Sequence, residues 1–362
     1  MRNETRQQFN AYLNRLAELN HAVIGSQAFN VDPSVQQTLE SKIQESSDFL
    51  SKINIYGVTE QSAQKVGLGI GTTIASTKDT NAGERTPTDP TSLDGEVYIC
   101  QQTNFDTSIK YAKLDAWAKF PDFQTRIRDQ IVERQAIDRI VIGFNGTTRA
   151  ATSDRQAHPL LEDVNIGWLQ KIRANAAEHV LSEVVADSGV VNVHAGGDYE
   201  NIDALVFDVV NELIDPWYRE DTELVVIIGR ALFADKYFPL INQADKPTEK
   251  IASDLIVSQK RIGGLQAVRA PYFPENALLV TRLDNLSIYY QEGARRRTII
   301  DNPKRDQIEN YESSNDAYVV EDYGMVALVE NISTDEPTTR KLKEAAAKKA
   351  AADKAAADAA KK

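Results

Sequence analysis

The stretch KVGLGIGTTIAS, residues 65–76, places Gly67, Gly69 and Gly71 at every second position ahead of two threonines, a composition that could cradle a phosphate. Such a loop works only where its glycines close a strand and open a helix, because the free N–H groups of the helix start hold the anion. Here Gly71 leads into TTIASTKDT, rich in β-branched residues, so the glycines are expected inside a strand. A second candidate, GFNGTTRAATSDR, follows a predicted helix rather than a strand and lacks Gly-Lys-Ser/Thr, so Gly143 and Gly146 are read as structural. Ser153, Asp154 and His158 have the residue types of a hydrolase triad, but no G-x-S-x-G elbow surrounds the serine. Cys100 is the sole cysteine, and His21, His158, His179 and His194 never approach metal-ligand spacing. No catalytic residue, cofactor or metal is expected, and the chain is read as a non-enzyme.

Composition narrows the class further. At 362 residues the chain exceeds what one ordinary core needs, which favours two domains or one domain with long extensions. Hydrophobic residues at 42% and charged residues at 26% are ordinary globular usage, and no run approaches the ~18 apolar residues that span a bilayer. The start MRNETRQQFNAYL has no apolar segment with a small-residue cleavage site, so a cytoplasmic beginning is expected. The net charge of −12 is uneven: from Arg340 onward eight Lys/Arg face three Asp/Glu, which leaves about −17 on residues 1–339. A body that acidic repels polyphosphate and is not expected to grip nucleic acid.

The elements that must position these residues follow from periodicity. Phe9, Tyr12, Leu13, Leu16 and Leu19 form one stripe of a helix that stops near Asn20. AVIGSQAFNVDP then reads as a linker, so the helix is either a docked or swapped terminal element or a detachable assembly segment. Residues 34–52 read as a second helix with Ser34 as its cap and Val35, Leu39, Ile43, Phe49 and Leu50 apolar. The glycine-bearing strand, the polar tip KDTNAGERTPTDPTSLDG and the return EVYICQQTNFDTSIKY make an arm of roughly 45 residues, which as a lone ribbon is marginal and must lie on something, most simply a neighbouring subunit. Pro121 and Asp122 open a long helix over 121–143, with Phe123, Ile127, Ile131, Ile137 and Val141 as its packing stripe and Gly143 as its end. Trp168 is a packing anchor. Beyond it come a helix at NIDALVFDVVNELI, a buried strand at ELVVIIG, a helix broken by Pro239, and short strands at 253–258, LQAVRAPYF, NALLVTRL, LSIYYQEGARRRTII, DAYVVEDY and MVALVENI, an α+β pattern. The Ala/Lys end reads as a solvated tail.

This order of parts resembles the Hong-Kong-97-type capsid fold of tailed bacteriophages. The words MRNETRQQFNAYLNRLAELN, PSVQQTLESKIQESSDFLSKINI, GWLQKIR, VVIIGRALFADKYFPLIN, SQKRIGGLQAVRAPYFP and LSIYYQEGARRRTIIDNPKRDQIENYES are similar to the major capsid proteins of peduovirus-type temperate phages, nearly end to end. The resemblance implies an N-terminal assembly segment at 1–29, an N-arm at 30–62, an E-loop hairpin at 63–112, a peripheral domain with the spine helix at 113–194, an axial domain at 195–273, returning strands of the peripheral domain at 274–332 and a tail at 333–362. It implies proteolytic processing near Phe29 and Asn30, and inter-subunit contacts through Gly67, Gly69, Gly71, Lys78 and Arg85. The function it implies is a subunit of an icosahedral phage head built of hexamers and pentamers around double-stranded DNA, assembled in the host cytoplasm with scaffold, maturation protease and portal as partners and no membrane. A shell of a cellular nanocompartment with the same fold is the alternative, and the detachable N-terminal segment favours the phage head.

Overall fold

The computed structural model describes residues 1–21, 29–65, 75–81, 83–85, 96–117, 123–233, 236 and 261–335, with 117 and 123–127 described by backbone alone. Gly67, Gly69, Gly71, Pro121, Pro239, the 253–258 strand and the Ala/Lys tail lie outside these residues. Along the chain run helices α1 (Asn3–Leu19), α2 (Pro33–Glu45), α3 (Tyr111–Trp117), α4 (Phe123–Asn145), α5 (Trp168–Asn175) and α6 (Ile202–Leu213). The strands are β1 (Phe29–Asn30), β2 (Asn54–Val58), β3 (Ser62–Gln64), β4 (Val97–Ile99), β5 (Gln101–Asn104), β6 (Thr107–Lys110), β7 (Val180–Leu181), β8 (Val191–Asn192), β9 (Val225–Ile228), β10 (Arg261–Ile262), β11 (Leu265–Val268), β12 (Leu278–Thr281), β13 (Leu286–Gln291), β14 (Arg296–Asn302), β15 (Gln307–Val320), β16 (Ala327–Val329) and β17 (Ile332–Ser333).

The chain divides into two compact units. The first comprises Met1–Ala177, Ala270–Tyr272 and Arg282–Met325, and the second Glu178–Arg269, Phe273–Thr281 and Val326–Lys362. In the first, the described residues form a sheet ordered β1-β14-β15-β13-β2, with β5 and β6 also paired to β15. The 14-residue β15 is its axis: it is antiparallel to β14, β13, β5 and β6. Residues of even number on β15, from Ile308 to Val320, all face inward and are buried, as the two-residue period of a strand requires.

α2 starts one residue earlier than its apolar pattern suggests. Asp32 is the cap, its carboxylate accepting from the Ser34 N–H at 2.9 Å, and Pro33 takes the first helical position; Ser34, expected to cap, lies inside. The helix stops at Glu45 instead of continuing to 52, because the Ser46 hydroxyl turns back to the Ile43 carbonyl at 2.8 Å and a separate short 3-10 turn, Leu50–Lys52, follows. α4 runs through Gly143 to Asn145. Gly143 is there for packing: a Cβ would lie 2.2 Å from Trp168 Cζ3. At Gly146, just past the end, a Cβ would lie 2.1 Å from the Asn165 carbonyl oxygen, so the chain can turn there only as glycine. The deeply buried stripe of α4 is Val132, Ala136, Ile140 and Phe144 together with Gln135 and Arg139, while Ile131 and Ile137 are half-buried beside it and Val141 is buried. The Phe123 and Ile127 side chains lie outside the described residues. The fully buried Trp168 stacks edge-on to Phe144 and Tyr318, and its Nε1–H donates to the Ser287 carbonyl at 3.0 Å.

Among the described residues the arm's own ladder is β3 with β4, and from Gln101 the returning chain joins β15 because that strand offers it an unpaired edge. In the second unit the sheet runs β10-β11-β9-β12-β16-β7, with β9 and β12 buried throughout. Strands β12 and β16, expected with the peripheral return strands, belong to this second sheet. α6 begins at Asn201, whose side chain accepts from the Ala204 N–H, and packs Ile202, Leu205, Val206 and Val209 inward toward β10 and β16.

Gly143→Ala should destabilise the first unit by about 1–3 kcal/mol, the range for forcing extra atoms into a packed core. Gly83→Ala, whose Cβ would have Lys78 Cε at 3.6 Å as its nearest neighbour, should be close to neutral. Chemical denaturation of the two variants side by side measures the difference.

Candidate functional site

Asp154, His158 and Cys100 make structural contacts. The Asp154 carboxylate accepts from the Gln156 and Ala157 N–H groups at 2.8 and 3.3 Å, bonds that hold it below the ordinary aspartate value, and His158 contributes its own N–H to the Asp154 carbonyl. Ser153, Asp154 and His158 therefore belong to a turn. Cys100 is buried against Tyr98, Ala317 and Val319, and burial pushes its thiol up to about 12. Among the described residues no group of three or more His, Cys, Asp and Glu could hold a metal, and no helix is long and apolar enough to cross a membrane.

What the fold assembles instead is a buried ionic cluster. On β15, Glu312, Ser314 and Asp316 occupy the same inward face; α2 presents Glu40 from the face that also buries Gln36 and Ile43; α4 presents Gln135 and Arg139; and Arg295 stands just ahead of β14. Both guanidiniums are at most 1% exposed. Arg139 pairs with Glu40 and donates Nε and Nη2 to the two Asp316 oxygens at 3.1 Å each. Arg295 reaches Glu40 Oε1 at 2.5 Å, an oxygen that also accepts from Arg139 Nη2 at 3.2 Å, and it reaches Glu312 Oε1 at 2.6 Å and the Gln135 side-chain carbonyl at 2.8 Å. The Gln135 amide donates on to Glu312 Oε2 at 3.1 Å, and the Ser314 hydroxyl to Asp316 at 2.6 Å. Burial pushes the Glu40 and Glu312 carboxyls upward, but the adjacent arginines outweigh it and hold both below their ordinary value.

This cluster positions the surfaces of interest. β14, anchored by Arg295, carries β1 on its outer edge: Phe29 faces Arg297 and Asn30 faces Arg296, and the Val31 N–H donates to the Arg295 carbonyl at 2.8 Å. The candidate processing residues are thus an edge strand, with Phe29 half-buried and Asn30 exposed. Ahead of them α1 is docked, its Phe9 buried with Tyr111, Leu114, Ile299 and Ile308. At the base of the ribbon the buried Lys65 donates to the Val320 carbonyl at 2.7 Å, and Tyr98 packs with Tyr289 at 5.1 Å. The opposite face of β4 leaves Val97 and Ile99 about half exposed, at 55% and 50%. Lys78 and Arg85 are exposed.

Sequence reading did not find Glu40, Gln135, Arg139, Arg295, Glu312 or Asp316. The signal was present as spacing without hydrophobicity: residues 36, 40 and 43 on one helix, 132, 135, 136 and 139 on another, and 310, 312, 314 and 316 on a strand. Polar side chains at apolar positions hide such faces from a hydrophobic count.

A long helix laid on a sheet with the short β3–β4 ladder beside it, in one chain with a second sheet-based unit, is the Hong-Kong-97-like fold of phage capsid proteins. Residues 8–332 match the family described as phage major capsid protein, P2 family. The chain is 53% identical over 347 residues to the capsid proteins of Escherichia phage P2, covering 94% of this chain and 97% of that one. It is 42% identical over 344 residues to the major capsid protein of Serratia phage KSP20, covering 93% and 99%. Among solved structures it is similar to a chain of the satellite phage P4 procapsid including the size determination (Sid) protein, with a TM-score of 0.78 at 51% identity over 93% of this chain and 99% of that one. The capsid of an empty GTA particle, at a TM-score of 0.51 and 14% identity over 80% and 90% of the two chains, shares the fold alone. The chain belongs to the P2 family of phage major capsid proteins, a family of virion shell subunits that assemble with copies of themselves.

Replacing Arg139 with Met strands Glu40 and Asp316 without their shared partner and should cost about 3–5 kcal/mol, as breaking buried pairs does. The carboxyls also fix a pH dependence. Because Glu40 and Glu312 sit below their unfolded value of about 4.3, the stabilisation is complete above that value and is lost as pH falls through the lower folded values. Denaturant midpoints followed from pH 7 to pH 3 should drop in the acid limb, and Glu40→Gln should flatten that drop.

Proposed function

We propose that this chain is the principal subunit of an icosahedral phage head, arranged as hexamers and pentamers around double-stranded DNA, and that its assembly in the host cytoplasm is followed by removal of residues 1–29 near Phe29 and Asn30 by a phage maturation protease. Scaffold and portal proteins are its further partners, and no membrane takes part. In this reading the second unit, Glu178–Arg269 with Phe273–Thr281 and Val326–Lys362, is the axial domain, the first unit with its spine helix is the peripheral domain, and the arm that leaves from β3 and returns at β4 reaches a neighbouring subunit through Gly67, Gly69, Gly71, Lys78 and Arg85.

The observation that carries the reading is the apolar outer face of the ribbon base. Val97 and Ile99 stand half exposed on a strand whose inner residue, Tyr98, is buried, so the ribbon has one satisfied face and one that requires cover. A second copy supplies that cover in a head-to-tail ring, where different patches of one subunit meet on the next. In the second unit Phe207 and Trp217 are exposed at 67% and 50% and offer a further apolar contact between copies. Charge suits an enclosing wall. Residues 1–339 carry about −17, so the wall does not adhere to the polyphosphate inside it, and screening over ~8 Å at physiological salt limits the remaining repulsion.

Negative-stain microscopy of the protein expressed alone and with its protease tests the assembly. Paired Lys78→Glu and Arg85→Glu replacements should leave the circular dichroism of the subunit unchanged and sharply lower the yield of closed shells; an unchanged yield removes these residues from the contact. N-terminal sequencing of processed particles should begin at or next to Asn30, and an intact Met1 throughout would rule out the processing step.

A further inference from the structure

The way α1 is held is unusual for a segment joined to the body by a short linker. It lies in a trench of the first unit whose floor is Ile109, Tyr111, Leu114, Ile299 and Ile308, and it fills that floor with Phe9, flanked by Tyr12, Leu13 and Leu16. Polar contacts tie it down along its length. At its start the Asp115 carboxylate accepts from the Arg2 N–H at 2.9 Å and from the Thr5 hydroxyl at 2.7 Å, with the N-terminal ammonium 4.0 Å away. One turn on, Arg6 pairs with Asp301, which also accepts from the Tyr111 hydroxyl. Near the middle, Arg297 Nη2 donates to the Tyr12 hydroxyl at 3.0 Å while its Nε donates to Asn310 at 2.8 Å. At the end, the Asn20 side chain accepts from the Asp32 N–H at 3.1 Å. An apolar stripe seated in a groove with charged groups fixing both its direction and its register is the helix-in-groove mode by which separate chains recognise an amphipathic helix.

We propose that the trench is a binding site for α1 as a ligand in its own right, so that cutting the backbone between α1 and β1 does not empty it and the severed helix stays bound until a separate event displaces it. Every contact above, the Asn20–Asp32 bond included, joins residues 1–20 to residues of the body beyond Phe29, so none is lost when the linker is cut. A short tether contributes an effective concentration of order mM. Retention at ~10 µM therefore requires an intrinsic affinity about 100-fold better than the tether alone would demand, and an isolated helix of this length, being marginal in water, folds as it binds. The inference goes beyond the assembly reading and does not depend on which bond the maturation protease cuts. Its consequence for that reading is that processing and vacating the trench are two steps, with the apolar floor covered in between.

The test uses the full chain with the recognition sequence of a sequence-specific endoprotease placed between His21 and Phe29. After cutting under native conditions at ~10 µM, size exclusion and mass spectrometry of the body fraction should find the N-terminal fragment retained one to one, its tether being gone. A fluorescent peptide of residues 1–21 in excess should exchange with it saturably. The same peptide carrying Phe9→Ala should compete at least about 100-fold more weakly, and one carrying Arg6→Ala about 2- to 5-fold more weakly, as expected for a core aromatic and a surface ion pair. Because the changes are in the peptide, the body's folding is not at issue. A fragment that separates from a folded body, or peptides whose competition ignores both substitutions, would overturn the proposal.

Discussion

Two arginines shut away from water are the constraint from which the first unit follows. Arg139 and Arg295 are each desolvated almost completely. Desolvating a charge costs several kcal/mol after relaxation, so their burial is tolerable only if every carboxylate arrives at its place together. Glu40 is the keystone, since it pairs with Arg139 through both oxygens and with Arg295 through Oε1, and so ties helix α2 to α4 and to the strand start ahead of β14 at once. An apolar core of the same volume could slide by a residue at modest cost. This one cannot, because a slip would leave a buried charge unpaired.

Position then propagates outward. With α4 fixed by Arg139, its Gly143 meets the six-membered ring of Trp168, which in turn is held by Ser287 on β13. With Glu312 and Asp316 fixed, β15 is placed, and with it the four strands that pair along it. The features that matter for a shell hang from this frame: the edge strand Phe29–Asn30 on β14, the helix α1 across Ile299 and Ile308, and the ribbon base over Ala317 and Val319. A capsid subunit has to present contact surfaces at reproducible angles to many copies of itself. A body whose register is set by paired charges, carrying appendages with one satisfied and one unsatisfied face, suits that demand.

Much of this was readable from residues alone where hydrophobicity and period agreed. Phe9, Tyr12, Leu13 and Leu16 announced α1, and the run at 225–228 announced a buried strand. Where polar residues do structural work the reading failed. The inward face of β15 reads Asn, Glu, Ser, Asp between its apolar ends, so only its last third looked like a strand. The spine stripe was placed on Ile131 and Ile137 because the true buried face carries Gln135 and Arg139. Gly143 looked like a helix end since its tertiary reason, the ring of Trp168, is 25 residues away in the chain. The cap at Asp32 was missed by two residues because Pro33 hid the helix start. Family membership was legible from the words of the chain, which no physical count of periods would have supplied.

The central claim is that this polypeptide completes its burial against copies of itself. Sedimentation velocity of the purified full-length chain over a wide range of concentration addresses it directly. The account predicts that subunits disappear above a threshold concentration into a discrete, rapidly sedimenting species of shell size. A single slow boundary of compact monomer at every concentration, with Val97 and Ile99 inaccessible to solvent probes, would contradict it.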